Sequence, residues 1–195
     1  INNDGIDVLL ISGYRASTEW SAAGEVYVLY GKDTGVSGNF STTLNLADLD
    51  GTNGFTIEGI YANYRTGDDV KFLKDINGDE ISDVAITAIQ GSPNSTSNAG
   101  QVYVLYGKTA SVDGAFPTTF DLADIDGQNG FNINGTYSNQ YFGNSVDDAG
   151  DINNDGVNDL IIGSKNEDTG AGKTYLLFGK DTTAKGDYAT NILTS

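Results

Sequence analysis

An all-β chain of stacked four-stranded antiparallel sheets is what the sequence predicts, on three observations. A β-branched and aromatic segment occurs three times, as Gly24-Glu-Val-Tyr-Val-Leu-Tyr-Gly-Lys32, Gly100-Gln-Val-Tyr-Val-Leu-Tyr-Gly-Lys108 and Gly172-Lys-Thr-Tyr-Leu-Leu-Phe-Gly-Lys180. The first two are offset by 76 residues and the third by a further 72. No segment sustains a helical period, and 26 glycines suit a chain of many turns.

Each period reads as four strands, A to D. Strand A is clearest in Gly143-Asn-Ser-Val-Asp-Asp-Ala-Gly150 and ends at an oxygen-rich loop. Strand B follows that loop as Val8–Ile11, Val84–Ile86 and Leu160–Ile162. Strand C is the Val-Tyr-Val-Leu-Tyr segment, whose residue types favour a pleated surface. Strand D is Phe55-Thr-Ile-Glu-Gly59 and Phe131-Asn-Ile-Asn-Gly135, apolar at alternate positions. The expected division is a partial unit with strands B to D over 1–59, a complete unit over 60–135 and a partial unit with strands A to C over 136–195. A four-stranded sheet cannot bury both faces alone. Radial stacking of such sheets is a β-propeller, and two and a half units are a segment of one.

The loop between A and B carries the chemistry. In 151–159 oxygens fall at every second position: Asp151, Asn153, Asp155, the carbonyl of Val157, and Asp159. The pattern recurs as Asp75, Asn77, Asp79, the Ile81 carbonyl and Asp83. Hard cations such as Ca²⁺ take six to eight oxygen ligands, so a tight loop of this kind can wrap one ion. An EF-hand needs Glu at the twelfth position and a helix beyond it. Here the twelfth residues are Ile86 and Ile162, inside apolar strands. The alternative is an Asp/Asn/Gly turn without metal, which two matching copies weigh against. A third copy, Ile1-Asn-Asn-Asp-Gly-Ile-Asp7, lacks the first Asp and is one residue short, so Asn2, Asp4 and Asp7 are expected to hold an ion weakly. The turns 48–53 and 124–129 are also oxygen-rich, but they lack the last Asp and read as Gly-assisted hairpin turns.

Tyr141-Phe-Gly143 together with Ala149-Gly-Asp-Ile-Asn-Asn-Asp-Gly-Val-Asn-Asp-Leu-Ile-Ile-Gly163 resembles the FG-GAP repeat of integrin alpha-subunit propellers and their bacterial extracellular relatives. The resemblance extends over nearly the whole chain. It implies a seven-bladed propeller with Ca²⁺ in several A–B loops, a secreted or cell-surface location and a role in adhesion or scaffolding. There are departures: Thr66-Gly67 replaces Phe-Gly, Lys74 replaces the Gly before the loop, Glu80 stands where Gly156 does, and no Gly-Ala-Pro follows strand B.

Composition narrows the function. The net charge is −17, from 27 acidic and 10 basic residues, which argues against nucleic acid and anionic membrane as partners. There is no Cys for disulfides, no His for general-base work, and no apolar run near the ~18 residues of a membrane span. No catalytic set is expected. The chain has no Met and opens inside a copy of the loop, which reads as a piece of a longer product whose other blades come from the parent chain or from other copies.

Up-and-down strands put the A–B and C–D loops at one end of the sheets and the B–C and D–A loops at the other. The end opposite calcium then carries Tyr14, Arg15, Trp20, Tyr61, Tyr64, Arg65, Tyr137 and Tyr141, residue types that anchor interfaces. In integrins the analogous face binds ligand, so a protein or glycan ligand is expected there. Two other functions stay open: a carbohydrate-binding module, and a structural repeat assembling into rings or filaments.

Overall fold

A computed structural model describes residues 1–16, 21–167 and 170–194. Trp20 lies outside the described residues.

Three sheets follow one another along the chain. In the first, β1 (Val8–Gly13), β2 (Glu25–Tyr30) and β3 (Gly54–Glu58) pair antiparallel, with Val8 opposite Tyr30 and Val28 opposite Phe55. The second contains β4 (Thr66–Leu73), β5 (Asp83–Ala88) and β6 (Gln101–Leu105), and continues to β8 (Gly130–Asn134). The third has β9 (Phe142–Gly150), β10 (Asp159–Ser164) and β11 (Lys173–Leu177). Strands follow the A–B–C–D order, and the architecture is that of β-propeller blades.

Alternation along each strand sends neighbouring side chains to opposite faces. In the middle sheet both faces are covered. Val84, Ile86, Tyr103 and Leu105 pack on Val26, Val28, Phe55 and Ile57 of the first sheet. Ala85, Val102, Val104 and Phe131 pack on Phe142, Val146, Leu160 and Ile162 of the third. This is why every residue of β5 is buried, whereas none of β1 is. At the junctions the D–A turn clamps the preceding B–C turn. Asn63 and Arg65, both at positive φ, donate backbone N–H to the Ser21 and Ala22 carbonyls, and Asn139 and Tyr141 do the same to Ser97 and Asn98.

The C–D connection is not a hairpin turn. It is a long excursion with a short helical turn: α1 (Thr34–Ser37), α2 (Ala110–Asp113) or α3 (Thr182–Lys185). The Asp50–Asn53 and Asp126–Asn129 turns within it are closed on themselves. Asp50 Oδ1 accepts from the backbone N–H of Thr52 and Asn53, and Asp126 Oδ1 from those of Gln128 and Asn129.

That excursion reaches back to the preceding unit. β7 (Thr119–Asp121) joins β3 in parallel, and β12 (Asn191–Leu193) joins β8 in the same way. An aromatic residue seals each return: Phe116 stacks on Phe55 with centroids 4.4 Å apart, and Tyr188 stacks on Phe131 at 4.3 Å. A lysine covers the outer side of each ring, Lys108 over Phe116 and Lys180 over Tyr188. In the first unit the same pair, Lys32 over Phe40, has no strand behind it, and Phe40 is 48 % exposed.

Candidate metal loops and the opposite face

The three A–B loops lie at one end of the sheets. In 75–83 the Asp75 carboxylate gathers the loop backbone: Oδ1 accepts from the N–H of Asn77, Gly78 and Asp79, and Oδ2 from Glu80. Asp151 does the same in its loop with Asp155 and Gly156. The left-handed position filled by Gly156 (φ 91°) is held by Glu80 at φ 65°, so the substitution keeps the turn at some backbone cost. In every loop the amide Nδ2–H of the Asn donates to the Asp two residues on: Asn2 to Asp4 at 2.7 Å, Asn77 to Asp79 at 3.0 Å and Asn153 to Asp155 at 3.3 Å. A partial positive charge thus sits against the same carboxylate three times over.

Asp83 and Asp159 do a job that their spacing did not reveal. Both are buried, and each ties its loop to strand C. Asp83 accepts from the N–H of Ile76 at 2.9 Å and of Gly107 at 2.8 Å. Asp159 accepts from Ile152 at 2.8 Å and Gly179 at 2.9 Å. Gly107 must be glycine, because a Cβ there would collide with the Ser82 carbonyl. Burial pushes the Asp83 carboxyl well above the ordinary range, and burial also raises Asp79. In the first unit Val8 stands where Asp83 stands, because the loop is one residue short. Asp7 then occupies the place of Ser82, with its carbonyl against Gly31.

The donor set fits a hard cation. Carboxylate, amide and carbonyl oxygens are the ligands Ca²⁺ prefers, and a carboxylate accepting two N–H groups keeps lone pairs free. Among the described residues no three Asp or Glu side chains gather at metal-binding spacing, since Asp75 and Asp83 are turned toward backbone N–H groups. The loops differ in setting. Loop 75–83 lies under the connector of the next unit: Lys180 N–H donates to the Ile76 carbonyl and Thr182 N–H to Asn77. Ile76 is accordingly 1 % exposed, while Ile152 in loop 151–159 is 58 % exposed. Lys185 stands 3.7 Å from Asp155.

At the other end, Tyr14, Arg15, Tyr61 and Tyr137 are exposed, with the Arg15 guanidinium 5.8 Å from the Tyr14 ring. Tyr64 is half-buried and packs on the first core. Arg65 and Tyr141 are half-buried in the D–A turns, with the Lys165 ammonium over the Tyr141 ring. The polar residues beside them on the sheet face, Gln101, Asn132 and Asn134, were not singled out from sequence. Their signal is a repeat position that changes charge, from Glu25 to Gln101 to Lys173.

Residues 142–177 match the FG-GAP repeat family. That stretch carries an FG-GAP repeat. The FG-GAP match takes in strands A, B and C of the third blade with the loop 151–159 between them. Integrin alpha-M of Mus musculus is 32 % identical over 104 residues, which cover 52 % of this chain. Integrin alpha-2 of Bos taurus is 31 % identical over 116 residues, 60 % of the chain, and integrin alpha-11 of Homo sapiens 32 % over 111 residues, 54 % of it. Each alignment covers 8 % of the relative's own length. Over about half of its length the chain is similar to these integrin alpha chains.

Proposed function

We propose that the chain is a calcium-binding FG-GAP propeller segment of a secreted or cell-surface adhesion or scaffold protein, without catalytic activity of its own. The observation that carries the reading is the threefold loop in which an Asn amide proton lies against the fifth-position carboxylate. Turning that amide over would present an acceptor in place of a donor. Asp75, Asn77, Asp79, the Ile81 carbonyl and Asp83 would hold one ion, and Asp151, Asn153, Asp155, the Val157 carbonyl and Asp159 a second. Asn2, Asp4 and Asp7 would hold one weakly. Bound calcium would supply charge neutralisation, and the chain's own residues close the loop and tie it to strand C. The adhesive role is supported by the integrin alpha chains that the sequence resembles. Among the described residues no helix is long and apolar enough to cross a membrane.

The test is a thermal melt in EDTA, in millimolar Ca²⁺ and in millimolar Mg²⁺. Extracellular Ca²⁺ modules bind with Kd of about 10⁻⁴–10⁻³ M. A hundredfold excess of ion stabilises by about 2.7 kcal/mol per site. A Ca²⁺-dependent rise in Tm that Asp79→Ala or Asp155→Ala reduces supports the reading. An identical Tm in EDTA and Ca²⁺ refutes it.

A further inference from the structure

We infer that the cleft between the first and second blades, at the end opposite the metal loops, binds a neutral saccharide. The cleft is a cavity of about 450 Å³, within the range of ligand sites. Its wall is the face of the second sheet that carries Gln101, Tyr103, Asn132 and Asn134, and its mouth is formed by Tyr61 and Tyr64 of the D–A turn. Among the described residues no charged side chain lines it.

The polar wall is ordered as a relay. Tyr103 Oη donates to Gln101 Oε1 at 3.2 Å, Gln101 Nε2 donates to Asn134 Oδ1 at 2.8 Å, and Asn134 Nδ2 donates to Asn191 Oδ1 at 3.3 Å. Asn132 Oδ1 is left out. It is shielded from solvent and accepts no hydrogen bond, although the residue lines the cavity. A buried acceptor without a donor is unfavourable until a donor reaches it. At the mouth Tyr61 is 57 % exposed, and its ring centroid lies 5.0 Å from that of Tyr64. The turn that carries both is clamped to the first blade through Asn63 and Arg65, so the rings are fixed before any ligand arrives.

These features select one chemistry. Sugar hydroxyls both donate and accept, as Asn and Gln amides do. The apolar C–H face of a pyranose lies flat on an aromatic ring. A cleft with no ionised group has no partner for a charged ligand and nothing to repel a neutral one. The repeat makes the point by contrast. At the next blade junction the matching positions are Lys173, Tyr175 and Gln140, and all three bond to the buried Glu167, which fills that space with charge. Only the middle unit carries the uncharged set, since the first has Glu25 at this position.

The inference does not depend on the calcium reading. The test is a glycan array with neutral, sialylated and sulfated glycans, probed with the whole chain in millimolar Ca²⁺. Isothermal titration with the methyl glycoside of the best neutral hit follows. Tyr61→Ala and Asn132→Ala should each weaken that binding by about tenfold or more. Val36→Ala, an exposed residue of α1 outside the cleft, should leave it unchanged. Tyr61→Ala removes an exposed ring, so its melting curve should match the wild type and separate lost binding from lost fold. No neutral hit on folded protein, a preference for anionic glycans, or binding that survives both cleft substitutions overturns the inference. A Ca²⁺-responsive melt without glycan binding would sink this cleft and leave the calcium loops standing.

Discussion

Asp83→Ala, measured in EDTA so that no ion contributes, isolates the tie between an A–B loop and strand C. The side chain is fully buried and accepts two backbone N–H groups, at 2.9 and 2.8 Å. A hydrogen bond to a charged group contributes about 1.5–3 kcal/mol, and a buried donor left unmet costs about 1–3 kcal/mol. Burial of the carboxyl itself, which drives its pKa upward, offsets part of that gain. The balance gives a loss of about 2–5 kcal/mol. For a chain of this size each kcal/mol moves Tm by about 2–4 °C, so the drop should be about 4–20 °C. Asp83→Asn keeps one acceptor and should fall between. The assay is a melt with matching urea titrations, to show that the slope with denaturant is unchanged. A shift below about 2 °C for Asp83→Ala would mean that the Ile76 and Gly107 amides find other partners, and the tie-down argument would fail. The first unit already manages with Val8 at this place, which makes it the internal comparison.

Ile76→Ala should lose about 2–5 kcal/mol, as for a fully buried aliphatic residue, whereas the matching Ile152→Ala should stay within about 0.5 kcal/mol; equal costs in urea would show that the two loops are packed alike. Gly100→Ala should destabilise strongly, because φ is 87° and a Cβ would strike the Phe142 backbone at the second blade junction; a neutral result by melting would contradict that contact. Burial raises the Asp68 carboxyl despite the neighbouring Arg65, Lys165 and Arg15 charges, and its Oδ2 is unpartnered. A raised folded pKa means that stability is present at low pH and lost as pH climbs from the unfolded value near 4 through the folded one. Asp68→Asn should therefore gain on the wild type over that window and run parallel above it; urea midpoints against pH would show the opposite slope if the neighbouring cations dominated.

The strands were legible because their signals are local and repeated. Val84–Ile86 and Val-Tyr-Val-Leu alternate or run apolar between turn residues, and each has a partner one period away. β7 and β12 were not legible. Each is three residues long, and its partner lies in the preceding unit, a pairing that no periodicity encodes. The oxygen-rich turns 48–53 and 124–129 were visible, but they read as hairpin turns and did not mark β7, which ends just before the second of them. At the loops, spacing marked Asp83 as one oxygen among five, because it cannot tell an ion ligand from a backbone tie. Val8 is the clue, since the shortened first loop moves its last Asp out of that place. Asn132 and Asn134 were not legible as a site because polar residues alternating with apolar ones on strand D read as a solvent-facing side. Only the neighbouring blade converts that side into a wall.

Because β7 belongs to the middle period of the sequence but completes the sheet of the first, the genetic repeat and the folded repeat are out of phase. Cutting the chain between residues 59 and 60, the boundary expected from the repeat, strips β3 of its outer neighbour. Copying or deleting a whole period preserves every pairing, since each copy brings the segment that finishes its predecessor. A break that parts this connector from the blade before it leaves that blade with a bare edge. Such an array therefore gains or loses blades cleanly only together with the connector that follows each one, and during synthesis each blade stays unfinished until most of the next one has been made.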